Sequence, residues 1–304
     1  MTIMGASDRL LLLNLGHPSR MVSIAPDGGD IQTLVADLGV VPDGIGLDPI
    51  NRHIFWTYMG SAHDGEDFNQ NDGMIERVNY DGSDRAVIIP KGGTFTPKQM
   101  QCDAGKGLIY WSDREGMRVM RARTDGSDVT TLIQTGSGDI DRRDRRRHCV
   151  GLALDTENGF IYWTQKGRPD GNEGRIFRAG LKMPAGADPA NRPDVELLFE
   201  TLPEPIDLEW HAEKSQLYWT DRGSPPAGNT LNRVAFDAGR PLEPEIILSG
   251  LKEGIGLAID QVGKRVFVSD LGGIVRVVSL ESPDDGSVIY EGHGPLTGIA
   301  YLKA

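Results

Sequence analysis

Two carboxylates two residues apart, Asp207 and Glu209, stand in the apolar stretch Pro205-Ile206-Asp207-Leu208-Glu209-Trp210. On an extended strand, residues i and i+2 project from the same side, so the pair would crowd two negative charges. Crowded carboxylates drive their pKa values apart, which lets one serve as an acid while the other stays ionised. The stretch Lys98-Gln99-Met100-Gln101 offers two amides at the same spacing. His148, whose type titrates near neutrality, is the candidate general base. Asp207, Glu209 and His148 therefore form the candidate catalytic set. Candidate substrate contacts are Gln99 and Gln101, with Asp43, Lys98, Glu204, Glu253 and Thr297 at the starts of neighbouring strands. Arg147 joins them from the run Arg142-Arg143-Asp144-Arg145-Arg146-Arg147. Five arginines together can hold a carboxylate or phosphate bidentately, although a solvated loop is the plainer reading. Cys149 reads as a small buried side chain rather than a nucleophile.

The elements that must position these groups repeat along the chain. Gly107-Leu108-Ile109-Tyr110-Trp111-Ser112-Asp113 returns as Ile54-Phe55-Trp56-Thr57, Ile161-Tyr162-Trp163-Thr164, Leu217-Tyr218-Trp219-Thr220-Asp221 and Val266-Phe267-Val268-Ser269-Asp270. Such a period marks one supersecondary unit used several times. Four of the five copies follow a segment ending in Asp, such as Gly151-Leu152-Ala153-Leu154-Asp155. An alternating strand closed by a turn dipeptide comes after it, as in Val119 to Gly126. The residues resemble the YWTD repeat of low-density-lipoprotein-receptor-type β-propellers. The resemblance implies an all-β, six-bladed propeller of four-stranded antiparallel blades, filling residues 1–304 as one domain. Tyr58 and Gln165 replace the motif's last Asp in two copies.

Strand-like runs at Leu10–Leu15, Met21–Ala25 and Ile31–Ala36 leave the first blade without an innermost strand. Thr297-Gly298-Ile299-Ala300-Tyr301 supplies the missing pattern at the other end of the chain. The C-terminal strand is therefore expected to join the N-terminal blade and remove the open sheet edge. The remaining blades are expected at 42–92, 97–136, 148–202, 204–250 and 253–292, with few helices and an exposed connector at 184–193. In that topology the long segments Met59–Asp72, Lys166–Gly174, Arg222–Thr230 and Gly136–Arg147 share one face, the usual placement for binding loops on a rigid scaffold.

A net charge of −12 provides no basic footprint for nucleic acid, and no apolar run is long enough to span a membrane. Two cysteines are too few for a disulfide framework, which points to a cytoplasmic compartment. No phosphate-binding glycine loop, nucleophile elbow or His-Glu-x-x-His occurs, so no cofactor is expected. A divalent metal held by Asp43, Glu204, Asp207, Glu209 or Glu253 with Gln99 stays open. Three functions fit these residues. The first is a cofactor-independent cyclase, lyase or cycloaddition enzyme acting on a small organic molecule in the propeller mouth. The second is a protein-binding scaffold. The third is a metal-dependent lactonase-like hydrolase.

Overall fold

The computed structural model describes residues 7–39, 41–62, 68–283 and 286–304. These residues form six antiparallel sheets arranged as a ring. The innermost strands are Pro42–Asp48, Pro97–Asp103, Cys149–Asp155, Pro205–His211, Gly254–Asp260 and Leu296–Leu302. The last pairs with Arg9–Asn14, setting Leu10 opposite Tyr301 and Leu12 opposite Ile299, and so closes the ring as expected. Strand positions agree with the sequence to within about two residues. Helix is confined to short turns, including Gly138–Arg142 and Arg145–Arg147 within one inter-blade connection.

The repeat motif holds the ring together in three ways. Its tryptophans, Trp56, Trp111, Trp163 and Trp219, are at most 2% exposed. They bury large rings between the blades, where apolar area and ring stacking stabilise most. Trp163 stacks on Phe177 at 5.3 Å and Trp219 on Phe199 at 5.8 Å.

The motif's Thr latches one blade to the next. Thr57 Oγ1 accepts from Gly44 N at 2.8 Å and donates to Lys98 O, in the following blade, at 2.9 Å. Thr164 repeats this with Gly151 N and Ile206 O. Thr220 repeats it with Asp207 N and Ile255 O. Glycine recurs beside the latch because the strands nearly touch. A Cβ on Gly44 would lie 2.3 Å from Lys98 O, and one on Gly151 2.1 Å from Ile206 O.

Third, the motif's Asp caps backbone amides of the connection entering its own blade. Asp113 accepts from Phe95 N and Thr96 N, and Asp221 from Glu204 N.

The 184–193 connector is largely exposed, as expected, and is anchored at one residue. Arg192 is buried, pairs with Asp194 at 2.7 Å and donates to Leu132 O of the preceding blade at 3.2 Å. Of the long Met59–Asp72 loop, residues 63–67 lie outside the described residues.

Candidate functional site

The upper end of the channel is where the inner strands begin, and six equivalent hydrogen bonds fix its level. The residue after each motif donates to the residue before each inner strand. The bonds are Leu15 N to Pro295 O, Met59 N to Val41 O, Arg114 N to Thr96 O, Lys166 N to His148 O, Arg222 N to Glu204 O and Leu271 N to Glu253 O, at 2.9–3.3 Å. His148, Glu204 and Glu253 therefore belong to one tier. Asp43, Lys98 and Thr297 belong to a deeper one, level with Val150, Ile206 and Ile255, as the cross-strand partners Pro42↔Tyr58, Cys149↔Gln165 and Pro205↔Asp221 show. Sequence pattern alone merges the two tiers into one ring of strand starts.

Buried charge fills this end. Lys98 Nζ lies 2.6 Å from Asp43 Oδ1 and 3.1 Å from Met59 Sδ. Glu204 Oε1 takes Lys166 Nζ at 2.6 Å and Arg222 Nε at 3.1 Å. Arg114 pairs with Glu115 at 2.7 Å. Asp43, Lys98, Arg114, Glu115, Lys166 and Glu204 are all less than 9% exposed. Burial lowers the Lys166 pKa to about 8, although Glu204 opposes the shift. Burial also lowers Lys98 and His148, against the pull of Asp43 and Glu115 respectively. For Glu115, burial pushes upward, and the Arg114 guanidinium more than reverses it. His148 Nε2 lies 2.8 Å from Arg142 O. A carbonyl only accepts, so Nε2 carries the proton and Nδ1 keeps the lone pair.

Arg114, Glu115, Lys166 and Arg222 are not among the candidates the sequence singles out, yet a signal for most of them exists in it. The position after each motif reads Leu15, Met59, Arg114, Lys166, Arg222 and Leu271, which places cations in three consecutive blades.

The other candidates separate from this cluster. Glu253 is a rim residue, more than half exposed and 3.7 Å from Arg222. Thr297 Oγ1 donates to Pro42 O and serves as a closure latch. Arg147 lies on the outer rim beside Asp141 and Asp144. Asp207 is wedged between blades rather than open to the axis. Its carboxylate accepts from Leu208 N at 2.9 Å and from Leu257 N of the next blade at 3.1 Å. Burial, and then the charge of Glu209, push its pKa well above the carboxylate range.

Glu209 marks the lower end, where its Oε1 accepts from Gln101 Nε2 at 3.0 Å. The two line a cavity of about 180 Å³ with Trp210, Gln261 and Tyr301. Burial raises the Glu209 pKa to about 7, against the Gln101 hydrogen bond. Asp207, Glu209 and His148 thus do not converge on one point. Two buried polar atoms near the deeper tier, Asp43 Oδ2 and Gln99 Nε2, have no hydrogen-bond partner among the described residues. Burial pushes Cys149 up to about 12, so its thiol stays protonated. Among the described residues no three His, Cys, Asp or Glu side chains group as a metal site would need, and no helix is long and apolar enough to cross a membrane.

A closed six-bladed β-propeller with a charged channel mouth is the class of protein these features define. The chain is 44% identical over 299 residues to a protein of Pyricularia oryzae named low-density lipoprotein receptor-related protein 1, covering 93% of this chain and 92% of that one. It is also 39% identical to the 3-hydroxyacyl-CoA dehydrogenase-like protein LAM1 of Cochliobolus heterostrophus, over 90% of this chain but 58% of the relative's length. Among solved structures, the nidogen/laminin complex matches with a TM-score of 0.74 at 19% identity, over 97% of this chain and 98% of that one. A gluconolactonase from Xanthomonas campestris matches at 0.63 and 16%, over 97% and 88%. No family model matches. The chain belongs to the low-density-lipoprotein-receptor class of β-propellers.

Proposed function

We propose that the chain is a cofactor-independent enzyme that receives a small organic molecule at the upper mouth, with chemistry of the cyclase, lyase or cycloaddition type. One observation carries this reading: the buried cluster of His148, Lys166, Glu204, Arg222, Arg114 and Glu115. Burying this many charges costs several kcal/mol each before pairing, and the fold does not need the three cations Arg114, Lys166 and Arg222 there, since Leu15, Met59 and Leu271 fill the equivalent places in other blades. A lysine brought toward neutrality beside a buried histidine is the pattern of acid–base work.

In this reading Lys166, with its pKa near 8, donates a hydrogen bond or proton to a developing oxyanion. Neutral His148 accepts a proton at Nδ1, and Arg222 and Arg114 hold an anionic or carbonyl group in place. Preorganised donors in a partly dry site lower such barriers mainly by orientation and electrostatics. The partner is accordingly a small molecule, not nucleic acid or a membrane, in a cytoplasmic setting. The dehydrogenase-like name of one relative and the lactonase likeness of one neighbour are compatible with small-molecule chemistry.

The test is native mass spectrometry of the whole chain after incubation with a small-molecule extract of its source. A one-to-one organic adduct is expected, weakened at least tenfold in Lys166→Met and in His148→Asn. An adduct indifferent to both substitutions would remove the upper mouth from the function.

A further inference from the structure

On the upper face, outside the mouth, a groove of about 430 Å³ runs between the blade holding Trp111 and the blade holding Trp163. That volume suits a small molecule. Three arginines line it, Arg146, Arg147 and Arg175, with Gln165, Thr135 and Phe177. The single acid in the lining, Asp144, is engaged by Arg146 through two bonds of 2.8 and 2.9 Å.

Comparison of equivalent rungs in adjacent blades shows what is missing. In the Trp111 blade, Asp113 faces Arg118 across the second and third strands, and Arg118 Nε lies 2.9 Å from the Asp113 carboxylate. In the Trp163 blade, the same rung pairs Gln165 with Arg175. The arginine is kept and its carboxylate is not. Arg175 donates to Arg146 O at 2.5 Å and lies over the Phe177 ring at 5.2 Å, but pairs with no carboxylate among the described residues. Burial, and then the charge of Arg146, lower its pKa. Arg147 donates through Nη1 to Thr135 O, but its carboxylate contacts are loose. Its Nε lies 3.5 Å from Asp141 and 3.7 Å from Asp144 and makes no hydrogen bond among the described residues.

The fold tolerates the lost carboxylate because its capping task has moved. The amides entering this blade are satisfied inside the Arg145–Arg147 turn. Arg146 N donates to Asp144 Oδ1, Arg147 N to Asp144 O, and His148 N to Arg145 O. Capping therefore does not explain why an unmatched guanidinium persists beside the groove.

We infer that the groove binds the oxyanion group of a small molecule, a phosphate or a carboxylate, in the place that the motif Asp occupies elsewhere, with Arg175 and Arg147 as its ligands. A planar guanidinium fork suits either anion. The site lies apart from the mouth and does not depend on the enzymatic reading.

Isothermal titration of the whole chain with inorganic pyrophosphate, and separately with malonate, tests it. One-to-one binding is expected, weakened at least tenfold by Arg175→Gln and by Gln165→Asp. The second substitution restores the motif carboxylate as an internal competitor. Because it recreates the Asp113–Arg118 rung, it should keep or raise the unfolding temperature, so lost binding would not reflect unfolding. Binding of pyrophosphate alone assigns a phosphate, and binding of malonate alone a carboxylate. Failure of both ligands to bind the unaltered protein, or binding that survives either substitution, overturns the inference.

Discussion

The two ends of the channel handle buried charge in opposite ways. At the upper end, Glu204 lies between two cations, Lys166 and Arg222, and all three are largely shielded from water. At the lower end, Glu209 pairs with no cation among the described residues, accepts from the neutral amide of Gln101 and keeps its proton up to a pH of about 7. One end neutralises charge by pairing, the other by protonation. A paired cluster depends on every member, whereas a protonated acid depends on pH. Electrostatic complexity at the upper end, beside the long loops, is what singles that end out.

The largest contrast should appear on deleting each acid. Glu204→Leu leaves Lys166 buried without its carboxylate and takes one carboxylate from Arg222, a situation that costs about 3–5 kcal/mol. Glu209→Gln removes no ion pair and should cost less than about 1 kcal/mol at pH 6. Urea unfolding of both variants measures the difference, and equal losses would erase the distinction between the ends.

The next effect is in pH. The folded-state pKa of Glu209 is raised above its ordinary 4.5 to about 7, so the fold binds this proton more tightly than the unfolded chain. Its contribution is present at low pH and lost as pH rises through about 7. Glu209→Gln cannot lose a proton. Relative to the unaltered protein it should gain roughly 1–3 kcal/mol between pH 5 and pH 8, because a tenfold difference in proton affinity between the folded and unfolded chain is worth about 1.4 kcal/mol. Asp207 and Asp221 are also raised, Asp221 to about 7, chiefly by burial. For that reason the difference between the two proteins is the quantity to follow, and a flat difference across pH would show that Glu209 is already ionised.

The smallest effect is spectroscopic. After reductive methylation with a carbon-13 label, Lys166 should titrate near pH 8, while Lys106, exposed beside Asp103, is shifted upward by that carboxylate. Two lysines titrating together would mean that the upper mouth is wet.

Much of the fold was legible because the motif repeats its own reasons. Trp56, Trp111, Trp163 and Trp219 recur where a ring must fill the space between blades, and the pattern at Thr297–Tyr301 announced closure before any strand was paired. The site was only half legible. Lys98, Asp43, Glu204 and His148 stood out by type, but nothing local said that Lys98 would find Asp43, or Glu204 find Lys166. Those pairs join different blades, 55 and 38 residues apart. Asp207 looked like half of an axial acid pair because alternation along a strand gives the side of a residue and not its depth. At its position the next blade's backbone is close enough to take the carboxylate.

Sequence alone determined the repeat, the strand order, the closure of the ring and the roster of charged residues, since each follows from local pattern and chain connectivity. Tertiary structure decided which charges meet, which are dried and which are left unmatched. Ion pairing and desolvation depend on distances of a few ångströms between blades, and a one-dimensional spacing does not contain those distances.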